Sequence, residues 1–171
     1  RIKKESRDFE TSLKTKTAEL LKRYPENEVD ARFVLLFVAI QEGSTYTLER
    51  LLKEKQPIPD GFVMKAVEKG NIEILKLLLD QGEDETISLQ LKSSFDSALQ
   101  RVSDGSENHA EMAELIIKRA GKLGKLDELL SVILVSMSKN NTYDYTHYYH
   151  RPVFALFKEL LSKGAMCTKM E

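Results

Sequence analysis

The sequence predicts an all-α fold of stacked helix-turn-helix repeats, with short or absent β-hairpins. Three observations predict it: a repeating segment, glycines that end apolar helical stripes, and a small residue in the middle of each first helix. The repeat is a step of 27 residues, which carries Ala39 onto Ala66 and Gly43 onto Gly70. Self-similarity at a fixed spacing is the sequence signature of a repeat architecture.

The composition fits one globular domain with an apolar core. The chain has 171 residues, of which 42% are hydrophobic, and a formal net charge of -1. The hydrophobic fraction excludes a disordered chain. The near-zero net charge excludes a strong overall electrostatic attraction to nucleic acid or to an anionic membrane. No apolar run reaches the ~20 residues of a membrane span, and no signal peptide is visible. The single cysteine, Cys167, cannot form an internal disulfide, so we expect a reducing compartment such as the cytoplasm.

The second unit is the clearest of the repeats. Gly70 is expected to end its first helix, because glycine takes positive φ without a Cβ penalty. Asn71 follows as the N-cap of a leucine-rich second helix, which Gly82 ends. Small residues allow the first helices to stack closely. They are Ala39, Ala66, Ala98 and Ser136.

The remaining organisation is read from weaker matches to that unit. An amphipathic helix within residues 1–29 resembles a capping repeat. Two further breaks are expected at Ser103–His109, a polar loop, and at Gly121–Gly124. The segment Gly82–Lys92 fits either a short extended stretch or the start of a helix. The predicted units span residues 30–56, 57–82, 93–121 and 126–165.

The run Gly70-Asn-Ile-Glu-Ile-Leu-Lys-Leu-Leu-Leu-Asp-Gln-Gly82 resembles the second half of an ankyrin repeat. The resemblance covers about Ala31 to Ala165. It implies an ankyrin-like solenoid and a protein–protein interaction function. The family's Thr-Pro-Leu-His segment is absent before each small residue, which argues against regular β-hairpin fingers. Similar divergence occurs in ankyrin modules of effectors from intracellular bacteria and in some viral proteins.

Two candidate surfaces for a partner protein follow. One is an insertion in the last unit that holds four of the six tyrosines, a residue type enriched at interfaces. The alternative is that two of these tyrosines pack beneath the insertion and the others are incidental. The second surface is the concave side, lined by outward positions of the first helices. The candidate binding residues are Tyr143, Tyr145, Tyr148, Tyr149, His147 and His150 in the insertion, and Lys65, Glu68 and Lys69 on the concave side.

The sequence gives weaker signals for metal binding, for catalysis by a nucleophile and for binding to lipid or nucleic acid. His147 and His150 could share a helix face and bind a metal, with Asp144, His109 or Cys167 as third ligand. We favour solvated histidines in a polar loop, and therefore predict no metal and no cofactor. An inert terminal thiol is favoured over a nucleophile at Cys167. The basic N-terminal helix carries interleaved acidic residues, so a solvated face is favoured over binding to lipid or nucleic acid.

The sequence thus predicts a protein-interaction module that is not an enzyme, with a protein partner, no nucleic acid and no membrane span. One alternative is the accessory domain of a larger enzyme or of a secreted effector acting in a host cytosol. The first residue, Arg1 rather than Met, favours it. A small enzyme with its site in the tyrosine and histidine insertion is the third hypothesis.

Overall fold

The protein is described by a computed structural model. It describes residues 31–55, 57–139 and 151–166, together with helical residues at Thr11, Ser12, Lys14–Lys16, Ala18, Glu19 and Lys22. From residue 31 onward the described chain forms eight helices: α1 Ala31–Glu42, α2 Thr45–Lys53, α3 Phe62–Lys69, α4 Ile72–Gln81, α5 Asp84–Ser103, α6 Glu107–Leu123, α7 Leu126–Lys139 and α8 Arg151–Ser162.

These helices form two layers. In the first layer α1, α3, α5 and α7 pack side by side in chain order, and in the second layer α2, α4, α6 and α8 do the same. Each first-layer helix also packs against the second-layer helix that follows it in the chain. The all-α prediction is confirmed, and the described residues contain no strand.

The core lies between the layers and between successive hairpins. Each helix buries one apolar stripe at helical spacing, as α4 does with Ile74, Leu75, Leu78 and Leu79. The small residues predicted at the contacts between first helices lie inside the structure. Ala39, Ala66 and Ala98 are fully buried and Ser136 is half-buried.

The turn between α3 and α4 has the chemistry that the sequence predicts. Gly70 takes a left-handed conformation with φ of 69°, which favours glycine. The Asn71 side chain accepts a hydrogen bond from the Ile74 amide at 3.1 Å and so caps α4.

Gly82 ends α4 for a different reason. Its φ of -68° is open to any residue, so conformational freedom is not what it supplies. A Cβ at this position would lie 2.5 Å from the Leu78 carbonyl oxygen and 2.6 Å from Cδ1 of Ile87. Glycine is needed here because the start of α5 folds back tightly against α4.

The segment between Gly82 and Lys92, for which two conformations fit the sequence, is helical. It forms the first turns of α5, with Asp84 and Glu85 at the helix N-terminus, where acidic residues are favourable. The helical period buries Ile87 and Leu91, whereas Leu89 between them is 77% exposed. An extended strand would have placed all three on the same side.

Two other boundaries differ from the predictions. α6 continues through Gly121 and ends at Gly124, whose φ is 69°. A Cβ at Gly121 would have the Leu126 side chain 3.9 Å away, so this glycine does not mark a tight turn and the helix is not interrupted there. The loop predicted at Ser103–His109 is reduced to three residues between α5 and α6. Ser106 caps α6 through the His109 amide, which lets the helix begin early.

No helix in the described parts of the chain combines the length and the apolar character needed to cross a membrane.

Candidate protein-binding surface

The residues of the tyrosine-rich insertion lie outside the described residues. They are Tyr143, Tyr145, Tyr148 and Tyr149 with His147 and His150. Asp144 and Cys167, named above as alternative metal ligands, also lie outside them. The structure therefore bears only on the second predicted surface, the outward positions of the first helices.

On α3 that surface begins with Lys65, Glu68 and Lys69. Lys65 is half-buried, and Glu68 and Lys69 are exposed. The opposite side of the same helix buries Val63, Ala66 and Val67. Because α1 and α5 flank α3 within the layer and α4 packs beneath it, the three charged residues lie on the side facing away from the second layer.

The start of α3 is fixed by a residue of the next hairpin. Gly61 occupies the N-cap position and has no side chain to accept from the first helical amides. Gln90 of α5 accepts a hydrogen bond from the Val63 amide at 3.2 Å and donates one to the Ile58 carbonyl at 3.1 Å. Its side chain is buried, with 2% of the residue exposed. The glutamine amide thus serves as the missing cap of α3 and holds the loop that precedes it.

The end of α3 is fixed by two residues from α6. Asn108 donates a hydrogen bond to the Gly70 carbonyl at 2.7 Å. The His109 Nε2 atom lies 2.8 Å from the Val67 carbonyl, which can only accept. In the neutral ring Nε2 therefore carries the hydrogen, and Nδ1 accepts from the Ser106 hydroxyl at 2.7 Å.

These contacts assign His109 a structural part. Both ring nitrogens are engaged within the protein, so His109 would have to give up one of these hydrogen bonds to become the third metal ligand considered from the sequence. Within the described residues no group of three or more His, Cys, Asp or Glu side chains could hold a metal ion.

The surface continues across α5 and α7. On α5, Leu89, Lys92, Ser93 and Asp96 recur at the spacing of one helix face and are exposed. On α7 the corresponding exposed stripe consists of Ser131, Leu134, Val135 and Lys139. We use the name first-layer face for eleven residues of α3, α5 and α7, of which Lys65 is half-buried and the others are exposed. They are Lys65, Glu68, Lys69, Leu89, Lys92, Ser93, Asp96, Ser131, Leu134, Val135 and Lys139.

A groove of about 390 Å³ runs between α5 and α7 on this face. Val132 and Val135 form its apolar part, and Lys92 and Lys139 stand on either side. The remaining lining is polar and comes from Ser93, Asp96 and Ser131.

The first-layer face carries more positive than negative charge. Lys65, Lys69, Lys92 and Lys139 oppose two carboxylates, Glu68 and Asp96. None of these six residues forms an ion pair with another described residue. The Asp96 carboxylate instead accepts a hydrogen bond from the Gln100 amide at 3.4 Å.

The second layer has a smaller groove of about 150 Å³ between α4 and α6. Its arginine, Arg119, is used inside the protein, because the guanidinium pairs with the Asp84 carboxylate and also reaches the Gly82 carbonyl. Lys76, on its rim, pairs with Glu73 at 3.8 Å. This region therefore joins the start of α5 to α6. The other charged residues of its groove, Asp80, Lys118 and Lys122, form no ion pair with another described residue.

One carboxylate of the second layer has a shifted pKa. Burial raises the pKa of Glu159 on α8 above its ordinary value of 4.5, and the charge of Glu114 on α6 raises it further. Lys163 opposes the shift. The two carboxylates repel each other across the contact between α6 and α8 when both are charged.

The sequence reasoning missed the capping residues Gln90 and Asn108. A signal existed for Gln90, because it lies one helical turn from Ser94 and three residues after Ile87, both buried. A glutamine in such a stripe needs internal hydrogen-bond partners. Asn108 carried no such signal, since its partner, the Gly70 carbonyl, lies 38 residues earlier in the chain.

Comparison of the chain with protein-family models, with curated proteins and with solved structures found no match.

Proposed function

We propose that this protein is a protein–protein interaction module built of divergent ankyrin-like repeats, which binds its partner through the first-layer face and acts without catalysing a reaction. The observation that carries the proposal is the contrast between the two sides of the first-layer helices. One side is buried and tied down by neighbouring hairpins, and the other presents unpaired charge and exposed apolar residues.

The rigidity of α3 supports a binding role. Its N-terminal amide and its last carbonyls are satisfied by Gln90, Asn108 and His109 from the next hairpin. A surface held in one conformation loses less entropy when it binds a partner. Lys65, Glu68 and Lys69 are therefore displayed on a preorganised helix.

The linear array of hairpins supports the ankyrin-like interpretation. Repeat proteins commonly use an extended surface formed by equivalent helices of successive units. The Gly70–Asn71 turn between α3 and α4 also agrees with the pattern that suggested the family. The tyrosine-rich insertion remains part of the proposal as a second contact.

Affinity capture with matched variants tests this function. The bait is used as wild type, as Lys65→Glu/Lys69→Glu in the first-layer face, and as Lys118→Glu/Lys122→Glu in the second layer. A fourth bait changes Tyr143, Tyr145, Tyr148 and Tyr149 to serine. We expect a partner that is retained by the second-layer variant and lost by the first-layer variant. Its loss by the tyrosine variant alone would move the contact to the insertion, and capture of no partner by any bait would refute the proposal.

A second candidate function is an accessory domain that packs against another part of a longer protein. Exposed apolar residues of the last hairpin favour it. Leu161 on α8 is 46% exposed, whereas Leu79, at the matching position of the second hairpin, is 2% exposed. Leu134 on α7 and Met166 are exposed as well. If this candidate is correct, Leu161→Glu will reduce aggregation of the isolated chain at high concentration, measured by light scattering, without lowering its melting temperature.

A further inference from the structure

The groove between α5 and α7 combines an apolar floor with two lysines that form no ion pair with another described residue. Val132 is half-buried and Val135 is 50% exposed, so a partner side chain could cover both. Leu89 lies one helical turn before Lys92 and Ser93 on α5 and is exposed outside the groove lining. Exposed apolar residues that lie together on a rigid surface are typical of interaction sites.

The charges at the groove select the kind of partner. Lys92 and Lys139 stand on opposite helices, and neither is neutralised by a described carboxylate. Asp96 is the one acidic residue of the lining, so two positive charges face one negative charge there and the groove keeps a net positive charge. Complementary potentials favour a partner that carries negative charge on either side of an apolar group.

We propose that this groove binds an acidic peptide segment of a partner protein, with an apolar side chain against Val132 and Val135 and flanking carboxylates paired with Lys92 and Lys139. The proposal rests on the proposed interaction function and names the chemistry of the ligand. A single-stranded nucleic acid fits less well, because such ligands stack their bases on aromatic side chains. Among the described residues that line the groove, none is aromatic.

Selection from a random peptide display library tests the proposal without knowledge of the natural partner. The wild-type chain is used beside Lys92→Glu/Lys139→Glu and the second-layer control Lys118→Glu/Lys122→Glu. Lys92, Lys118, Lys122 and Lys139 are all exposed, and circular dichroism checks that each variant keeps its helices. Selected peptides are then labelled and their affinities measured by fluorescence anisotropy.

We expect wild type and control to enrich the same peptides, with Asp or Glu on both sides of an apolar residue. The charge-reversed groove should bind these peptides about tenfold more weakly, since two favourable contacts become repulsive, and should enrich Lys or Arg at the flanking positions. Changing Val135 to Ser should weaken binding while leaving the charge preference intact.

Three results would overturn the assignment. Peptides without acidic enrichment, or peptides bound equally by the charge-reversed groove, would reject the groove and leave the wider interaction function standing. Enrichment of no peptide by any of the three proteins would count against both proposals. Displacement of the selected peptides by a single-stranded oligonucleotide of comparable affinity would reassign the groove to nucleic acid.

Discussion

The second hairpin, α3–α4, and the last hairpin, α7–α8, share one sequence pattern and differ in their surroundings. α3 and α4 are packed by hairpins on both sides, and side chains from α5 and α6 complete both ends of α3. Within the described residues no helix follows α8. As a result Leu79 is buried, whereas Leu161 at the matching position is almost half exposed.

This difference shows that the burial and the hydrogen bonding of one hairpin depend on the hairpin that follows it. The following hairpin supplies apolar cover for the second helix and hydrogen-bond partners for the first. Stability in such arrays is approximately a sum of unit terms and nearest-neighbour interface terms. Equivalent substitutions should therefore cost much more in the second hairpin than in the last.

The largest expected difference is between Leu79→Ala in α4 and Leu161→Ala in α8. Leu79 is buried, so its truncation should lower the free energy of unfolding by ~2–5 kcal/mol through lost burial and a cavity. Leu161→Ala should cost about 1 kcal/mol or less, because much of its side chain is already in water. Urea denaturation measures both. Equal losses in the two variants would show that the hairpins do not differ as described.

The next effect concerns the cap that α5 supplies to α3. Gln90→Ala leaves the Val63 amide and the Ile58 carbonyl without their partner, and should cost ~1–3 kcal/mol of unfolding free energy. Gln100→Ala, at an exposed position of the same helix, is the matched control and should stay within ~0.5 kcal/mol of wild type. Hydrogen exchange should show faster exchange at the start of α3 only in Gln90→Ala. A variant with unchanged protection there would mean that the glutamine does not cap the helix.

The smallest effect is the contact between α6 and α8. The raised pKa of Glu159 means that the folded state binds a proton more tightly than the unfolded state. Stability should therefore fall as pH rises above 4.5 through the folded pKa, and the penalty should be absent below 4.5.

Replacement of the Glu159 carboxylate tests whether its charge lowers the stability of the folded protein. Glu159→Gln should raise the melting temperature slightly at neutral pH and leave it nearly unchanged in acid. Glu114→Gln removes the neighbouring charge and should produce a smaller gain of the same sign. A Glu159→Gln protein that is less stable than wild type at neutral pH would contradict the assignment.

Local chemistry made much of the fold predictable. Gly70, Asn71 and the leucine stripe of α4 are determined by backbone and burial preferences within a few residues, so the α3–α4 hairpin could be anticipated. The burial predicted for the small residues Ala39, Ala66 and Ala98, at the contacts between first helices, is also found.

The remaining features depend on contacts distant in sequence. Gly82 ends α4 because Ile87 and the Leu78 carbonyl leave no room for a Cβ, and no local signal distinguishes this from a turn glycine. The apolar residues Ile87, Leu89 and Leu91 span too short a stretch to distinguish the period of a helix from that of a strand. For the candidate site, Lys65, Glu68 and Lys69 could be assigned to an outward position, but the groove could not be predicted before α5 and α7 were known to be neighbours.

The most direct test of the central claim is site-specific photocrosslinking to a captured partner. A photoreactive residue is introduced at Glu68 or Val135 in the first-layer face, and at Lys118 or Lys122 in the second layer. The account predicts partner crosslinks from Glu68 and Val135 and none from the two lysines of α6. Crosslinks from Lys118 and Lys122, with none from Glu68 and Val135, would contradict it.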